Sequence, residues 1–260
     1  KHLDLGYADH PPFIAYLIAA FTAIGGDTEF FVRVGGLILC IFSLFFFYQS
    51  CLTLFPENKR TAGDVLFLTN ISLLFSAGCI VQTPDTPLLF FWIFCLYCAA
   101  QVIMKQKAIY WYLGGAALGL GLLSKYTMIL ILPCIFLFFL LSADDRYWLK
   151  RKEPYLAVVI AFVVFSPVLY WNWQHDWVSF LYQLGHGLKP QKTEITHIGV
   201  KVLEYFASQA AVITPLLFLA FVLYSIKGFF IAIREKNRSY LFLTLLSWPI
   251  IFFFALSSAL

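Results

Sequence analysis

Charge is scarce in this sequence. Asp, Glu, Lys and Arg make up only 12% of its 260 residues, against 61% apolar and 19% aromatic, and the mean hydropathy is +0.82. So few charges cannot dress the surface of a soluble fold. Runs such as 155–170 and 209–233 are too apolar for one and long enough to cross a bilayer. The alternating pattern of a membrane β-barrel is missing as well, and nothing in the chain points to a nucleic-acid partner. The six cysteines (Cys40, Cys51, Cys79, Cys95, Cys98, Cys134) all lie in or beside apolar runs. They read as small buried hydrophobes rather than disulfides or metal ligands, Cys95-x-x-Cys98 included. The chain opens at Lys1 with no methionine, signal peptide or first anchor, and stops in an apolar run at Leu260. The expectation is one transmembrane domain over 1–260, part of a longer protein.

What is present is a series of apolar spans, at roughly 30–54, 65–81, 87–104, 109–123, 126–142, 155–171, 208–233 and 240–259. The loops between them hold eleven of the 18 Lys and Arg residues: Lys59, Arg60, Lys105, Lys107, Arg146, Lys150, Arg151, Lys152, Arg234, Lys236 and Arg238. Under the positive-inside rule those loops are cytoplasmic. The opposite face then receives residues 1–27, the short loop 82–86 and the segment 172–207. With them go all five histidines, His2, His10, His175, His186 and His197, so chemistry is expected on the non-cytoplasmic face.

Residues 109–142 test that topology. One unbroken helix would carry the basic loop around Lys150 to the wrong side, so the pattern predicts two short arms with a break at Ser124-Lys125-Tyr126-Thr127. At ~1.5 Å per residue each arm is only about 23–25 Å long. Lys125 then sits at a recessed apex with apolar neighbours on both sides. It is a poor snorkelling anchor there and reads as a functional cation. Residues 11–24 are too few to span, and they predict a helix along the outer interface with Phe13, Leu17, Phe21 and Ile24 in lipid or against the bundle. The stretch from Tyr170 to Trp177 reads as an interfacial aromatic belt, leading to Gly185-His186-Gly187. The fold class is therefore all-α, a polytopic transmembrane bundle with interfacial outer helices.

Charged residues near a membrane are costly and usually have a task. Asp9 and His10 stand before the double proline Pro11-Pro12, which suits the first turn of a helix. Asp85, in Gln82-Thr83-Pro84-Asp85-Thr86-Pro87, either caps the next helix or serves an outer site. Asp176 is expected to cap the helix that follows it. Arg33 lies at the outer end of a span, within reach of headgroups. Lys125, Arg33 and His10 beside these carboxylates would form a basic pocket at the lipid–water boundary. Such a pocket fits a phosphate on a lipid tail, with carboxylates to take a proton from an acceptor hydroxyl.

Five motifs in order carry a family resemblance. They are Leu3-Asp4-x-Gly6-Tyr7-x-Asp9-His10-Pro11-Pro12, then Phe31-Val32-Arg33, then Thr83-Pro84-Asp85-Thr86-Pro87-Leu88. Gly119-Leu120-Gly121-Leu122-Leu123-Ser124-Lys125-Tyr126-Thr127 and Asn172-Trp173-Gln174-His175-Asp176-Trp177 complete the set. Nearly the whole chain resembles the bacterial branch of the dolichyl-phosphate-mannose–protein mannosyltransferase-like family. These are GT-C glycosyltransferases related to the lipid A aminoarabinose transferase. The resemblance implies a hexosyl- or pentosyltransferase of the bacterial inner membrane, active on the periplasmic face. Its donor would be a polyprenyl-phosphate sugar, and its acceptor an envelope glycolipid such as lipid A, a glycan or a protein. It implies catalytic roles for Asp9 and Asp85, and phosphate binding by Lys125, Arg33 and His10, with His10 standing where the lipid A branch has lysine. It also implies a divalent ion, Zn²⁺ or another, between Asp9 and His186, where a plain hydrogen bond or ion pair is the alternative. The family's acidic motif, commonly Asp-Glu, would precede Lys1, so residues 1–260 alone are expected to be inactive.

A transporter or flippase is the rival reading, with Lys125 and Asp85 lining a pathway at a broken helix. Transporters show paired broken segments in two halves, and no second copy of the 109–142 pattern occurs in the sequence.

Overall fold

A computed structural model describes residues 3–187 and 195–259, without the side chains of 186, 187, 195–197 and 259. Among them there are twelve α-helices and no strand. Five helices are long and apolar enough to cross a membrane: α2 (Glu29–Leu54), α5 (Asp85–Lys105), α8 (Glu153–Gln174), α11 (Pro215–Arg234) and α12 (Arg238–Ala259). Helices α3 (Lys59–Ile71) and α4 (Leu73–Ile80) meet at 66° about Ser72 and are long and apolar enough to cross only when taken together. Side-chain caps set two of the helix starts. The Thr28 side chain accepts from Phe31 N–H at the head of α2, and Asn58 does the same for Thr61 at the head of α3.

The expected pair of short arms is present. Helix α6 (Ile109–Leu122) ends at a turn, and the chain resumes as a 3₁₀ turn over Tyr126–Leu130 that leads into α7 (Ile131–Leu141). The turn satisfies its own backbone, as apolar surroundings demand. Ser124 and Lys125 N–H both donate to Gly121 O at 3.0 and 2.9 Å, and Ser124 Oγ donates to Leu120 O. Helix α1 (Phe13–Gly25) is the short outer helix anticipated from residues 11–24. Leu17 and Phe21 lie over Gly35 of α2, while Ile24 is 78% exposed.

Small residues bring α6 and α8 together. A methyl at Gly115 would lie 2.3 Å from the Ala157 carbonyl oxygen, and one at Gly119 would lie 2.8 Å from that of Ala161. Gly115-x-x-x-Gly119 thus packs on Ala157-x-x-x-Ala161, a spacing that lets two helix backbones approach closely in lipid.

At the basic end, Asp145 is fully buried and Arg238 grips it with two hydrogen bonds, Nη2–Oδ1 at 2.5 Å and Nε–Oδ2 at 2.9 Å. Ser142 Oγ donates to the same carboxylate at 2.7 Å, and Arg238 also donates to Ile103 O at 2.7 Å. One cluster therefore ties the end of α5, the α7–α8 loop and the start of α12. Beside it the Trp148 indole N–H donates to Gln106 Oε1 at 3.1 Å, and the Trp148 side chain is buried.

Two expectations are corrected. Cys40 of α2 and Cys79 of α4 are joined as a disulfide, their Cα atoms 5.8 Å apart, whereas Cys51, Cys95, Cys98 and Cys134 are the buried free thiols foreseen. Hydrophobic setting alone says nothing about which cysteines face each other. The span read at 208–233 is interrupted: α10 (Ile195–Ile213) ends before Thr214, and α11 begins at Pro215. Proline lacks an N–H and disfavours the helical conformation at the residue before it. Thr214 leaves the helix at φ +83 and ψ 135, a positive φ that the proline alone does not require.

Removing one partner of a buried ion pair leaves an uncompensated charge, at a cost of about 3–5 kcal/mol. Arg238→Met should therefore lower the thermal unfolding temperature in detergent sharply, and Asp145→Leu with Arg238→Met should recover most of the loss. Equal melting of single and double variants would show that the pair does not hold this end together.

Candidate active site

Four pieces of chain meet at the end opposite Asp145, here called the mouth. The first is residues 4–12. Tyr16 Oη donates to Asp4 O at 2.6 Å, the Asp4 carboxylate accepts from Leu5 N–H at 2.7 Å, and Gly6 lies flat on the Trp171 indole, where a Cβ would be 2.7 Å from the ring. The Asp4 carboxyl is held below the ordinary carboxylate range, first by the Trp171 indole N–H and then by Leu5 N–H, with His175 adding a small Coulombic pull. Trp171 Nε1 completes no regular hydrogen bond, so its effect on Asp4 is that of a dipole rather than a bonded donor. Pro11 is fully buried, and Phe13 N–H donates to Leu123 O at 3.0 Å. Asp9 and His10 are thereby fastened beside the apex that carries Lys125.

The second and third pieces are the α6–α7 apex and the start of α5. Lys125 Nζ lies 2.7 Å from Asp85 Oδ1, with side-chain exposures of 31% and 60%. Asp85 is the first residue of α5, so the amino end of that helix and the ammonium of Lys125 both face its carboxylate.

The fourth piece is α9 (Val178–Gly187), folded back over the bundle after α8. Gln183 Nε2 donates to Asp9 O and lies 3.2 Å from His10 Nδ1, which also faces Asp9 O. His186 falls in the last turn of α9, three residues past Gln183, and its side chain lies outside the described residues.

The structure thus joins Asp85 to Lys125 and sets Asp9 and His10 against α9. It does not bring Arg33 into that group. Arg33 pairs with Glu29 at 2.7 Å and donates to Ile80 O at 3.2 Å, while Gln82 Nε2 donates to Arg33 O. These bonds fasten α2 to the end of α4. Asp176 does not cap α9 as expected. It is exposed, at φ +52, and the Ser179 N–H is capped instead by Oδ1 of the buried Asn172 at 3.2 Å. Sequence reasoning missed Gln183 and Asn172. Gln183 carries no signal in the sequence, and Asn172 stands in the fifth motif with nothing there to mark its capping role. A divalent ion at Asp9 would need more ligands than Asp9 supplies; among the described residues no three His, Cys, Asp or Glu side chains converge.

A helical bundle with a Lys125–Asp85 pair at its mouth has relatives. The chain can be superposed over 97% of its length on ArnT from Cupriavidus metallidurans in the apo state, with a TM-score of 0.56 at 16% identity, covering 49% of that chain. The chain therefore shares the fold of that protein, the GT-C fold. In sequence it is 27% identical over 231 residues to the lipid A galacturonosyltransferase RgtD of Rhizobium johnstonii, which is 85% of this chain and 45% of that protein. A profile of the family described as dolichyl-phosphate-mannose-protein mannosyltransferase matches residues 9–171, and the chain belongs to that family. It spans about half the length of the relatives it matches.

Asp85 and Lys150 are both exposed and lie at opposite ends of the bundle. Cysteines placed at these two positions should react with an impermeant thiol reagent from opposite sides of the membrane. Labelling of both from one side would break the two-arm geometry.

Proposed function

We propose that this domain takes part in moving a sugar from a polyprenyl-phosphate carrier to an envelope acceptor, on the periplasmic side of a bacterial inner membrane. The observation that carries this reading is the Lys125–Asp85 pair at the apex of two short apolar arms, at the same mouth as Asp9 and His10. An apolar carrier tail can stay in the bilayer while its anionic head meets Lys125. An ion pair this exposed contributes only about 0–1 kcal/mol to stability, so exchanging Asp85 for a phosphate costs little. Lys125 would then neutralise the phosphate as it leaves the sugar, with His10 a second donor at the same mouth. Asp85, released, and Asp9 would be the carboxylates available to orient the acceptor hydroxyl and take its proton. The basic loops around Lys105, Lys150 and Lys236 favour the cytoplasm for the other end. Lipid A is the first acceptor to try, because the relative from Rhizobium johnstonii is named for it.

The transporter reading gains a second broken segment in α3–α4, but that break is self-contained. Asn70 Nδ2 donates to Leu66 O and Ser76 Oγ to Asn70 O, with no charge at the bend.

Lys125→Ala in the natural full-length protein, assayed in membranes with labelled polyprenyl-phosphate galacturonic acid and lipid A, should lose about 10- to 150-fold in transfer, the worth of one charge-assisted contact. Unchanged rate and donor affinity would return Lys125 to a snorkelling side chain. Solute flux without transfer from any donor would favour the transporter.

A further inference from the structure

A hydrogen-bonded knot lies under the corner between α8 and α9. Asn172 is fully buried, and its Nδ2 donates to Val168 O at 3.0 Å. Its carbonyl accepts two N–H groups, from His175 at 3.1 Å and Trp177 at 2.8 Å, while its side chain accepts the N–H of Ser179. Between those donors Asp176 and Trp177 take φ +52 and +58, left-handed values that residues with side chains adopt only at a cost. Asn172 holds this corner in place, and the corner folds α9 back over the mouth.

The knot extends to the apex through one further bond. The hydroxyl of Tyr126 lies 2.8 Å from that of Ser179, which is fully buried. Tyr126 follows Lys125 directly, and its ring centroid is 4.9 Å from Phe180 of α9 and 6.0 Å from Phe165 of α8. A phenylalanine would fill the same space against those rings. What the tyrosine hydroxyl adds is direction, because it fixes where α9 stands relative to the turn that presents Lys125. Gln183, one turn beyond Ser179, is then held against Asp9 and His10.

We infer that Tyr126 and Ser179 are positioning residues, whose hydroxyl pair clasps α9 over the mouth so that Gln183, Asp9 and His10 stand in register with Lys125 and Asp85. The functional half of this inference rests on the sugar-transfer reading; the structural half does not. Lys125 is held on the apex by Asp85 and not by α9, so loosening the clasp acts on turnover more than on donor binding. Losing the hydroxyl bond lets α9 leave its working pose, with a fall in turnover of about 5- to 10-fold.

The test uses the natural full-length protein with nitroxide labels on cysteines at Ala8 and Leu184, both exposed. Pulsed electron resonance should give one narrow distance in the parent. Tyr126→Phe and Ser179→Ala should each broaden it, the double variant no further, with the melting temperature close to that of the parent. With labelled polyprenyl-phosphate galacturonic acid as the probe donor, kcat should fall about 5- to 10-fold while KM for the donor stays within about twofold. A narrow distance retained in both single variants overturns the clasp. Broadening without loss of turnover overturns its role in transfer. Should the parent transfer nothing, the sugar-transfer reading fails, and the distance distributions still decide the clasp.

Discussion

The mouth depends on the contact between α6 and α8. Apolar side chains gain nothing by leaving lipid for one another, so helices in a bilayer hold together through close packing and hydrogen bonds. Gly115 and Gly119 allow the α6 backbone to rest on Ala157 and Ala161, closer than any Cβ would permit. Both helices run from the basic end to the mouth, so this contact delivers two chain ends side by side. One becomes the Leu123–Lys125 turn and the other the Asn172 corner with α9. A third glycine completes the arrangement: a Cβ at Gly121 would lie 2.7 Å from Met128 Cγ, so its absence lets the 3₁₀ turn fold back against α6.

The two ends of the bundle use charge in opposite ways. Asp145 is wholly buried and carries three side-chain hydrogen bonds, two from Arg238 and one from Ser142. Such a cluster is expensive to open, because either charge left alone would stay desolvated. Asp85 and Lys125 share one contact and remain partly exposed. Water screens them, so they can change partners at small cost. A fixed pair and an adaptable pair follow from solvent exposure alone.

Much of this could be read from the sequence, for identifiable reasons. Span positions follow from hydropathy, and the break at Lys125 follows from charge, because an unbroken helix would put the loop around Lys150 on the wrong side. The pairing of Asp85 with Lys125 was visible only as a shared face. Arg33 was assigned to the same pocket because sequence gives its depth but not its direction around α2; its bonds to Glu29 and Ile80 take it elsewhere. The Cys40–Cys79 disulfide depends on the rotation of α2 against α4, which hydropathy does not encode. The end of α10 had a local signal in Pro215, hidden inside an apolar run that otherwise read as one span.

Asn172 was harder to see, because its work is done seven residues away. The other side-chain caps are local: Thr28 serves Phe31, Asn58 serves Thr61 and Asn237 serves Tyr240, each three residues on. Asn172 instead reaches from the end of one helix to the first turn of the next, across the aromatic residues that dominate the local pattern. That reach makes the corner costly in backbone terms. Gln106 and Lys236 are single left-handed residues just past helix ends, which helices commonly tolerate, whereas Asp176 and Trp177 are consecutive. Strain of that kind persists only where the surroundings over-determine it. Here the determining groups are a buried amide, a buried hydroxyl and a tyrosine from the neighbouring arm. The helix that covers the mouth is therefore held by polar contacts at its root, and most of its outward-facing side chains, Leu181 and Leu184 among them, are left exposed.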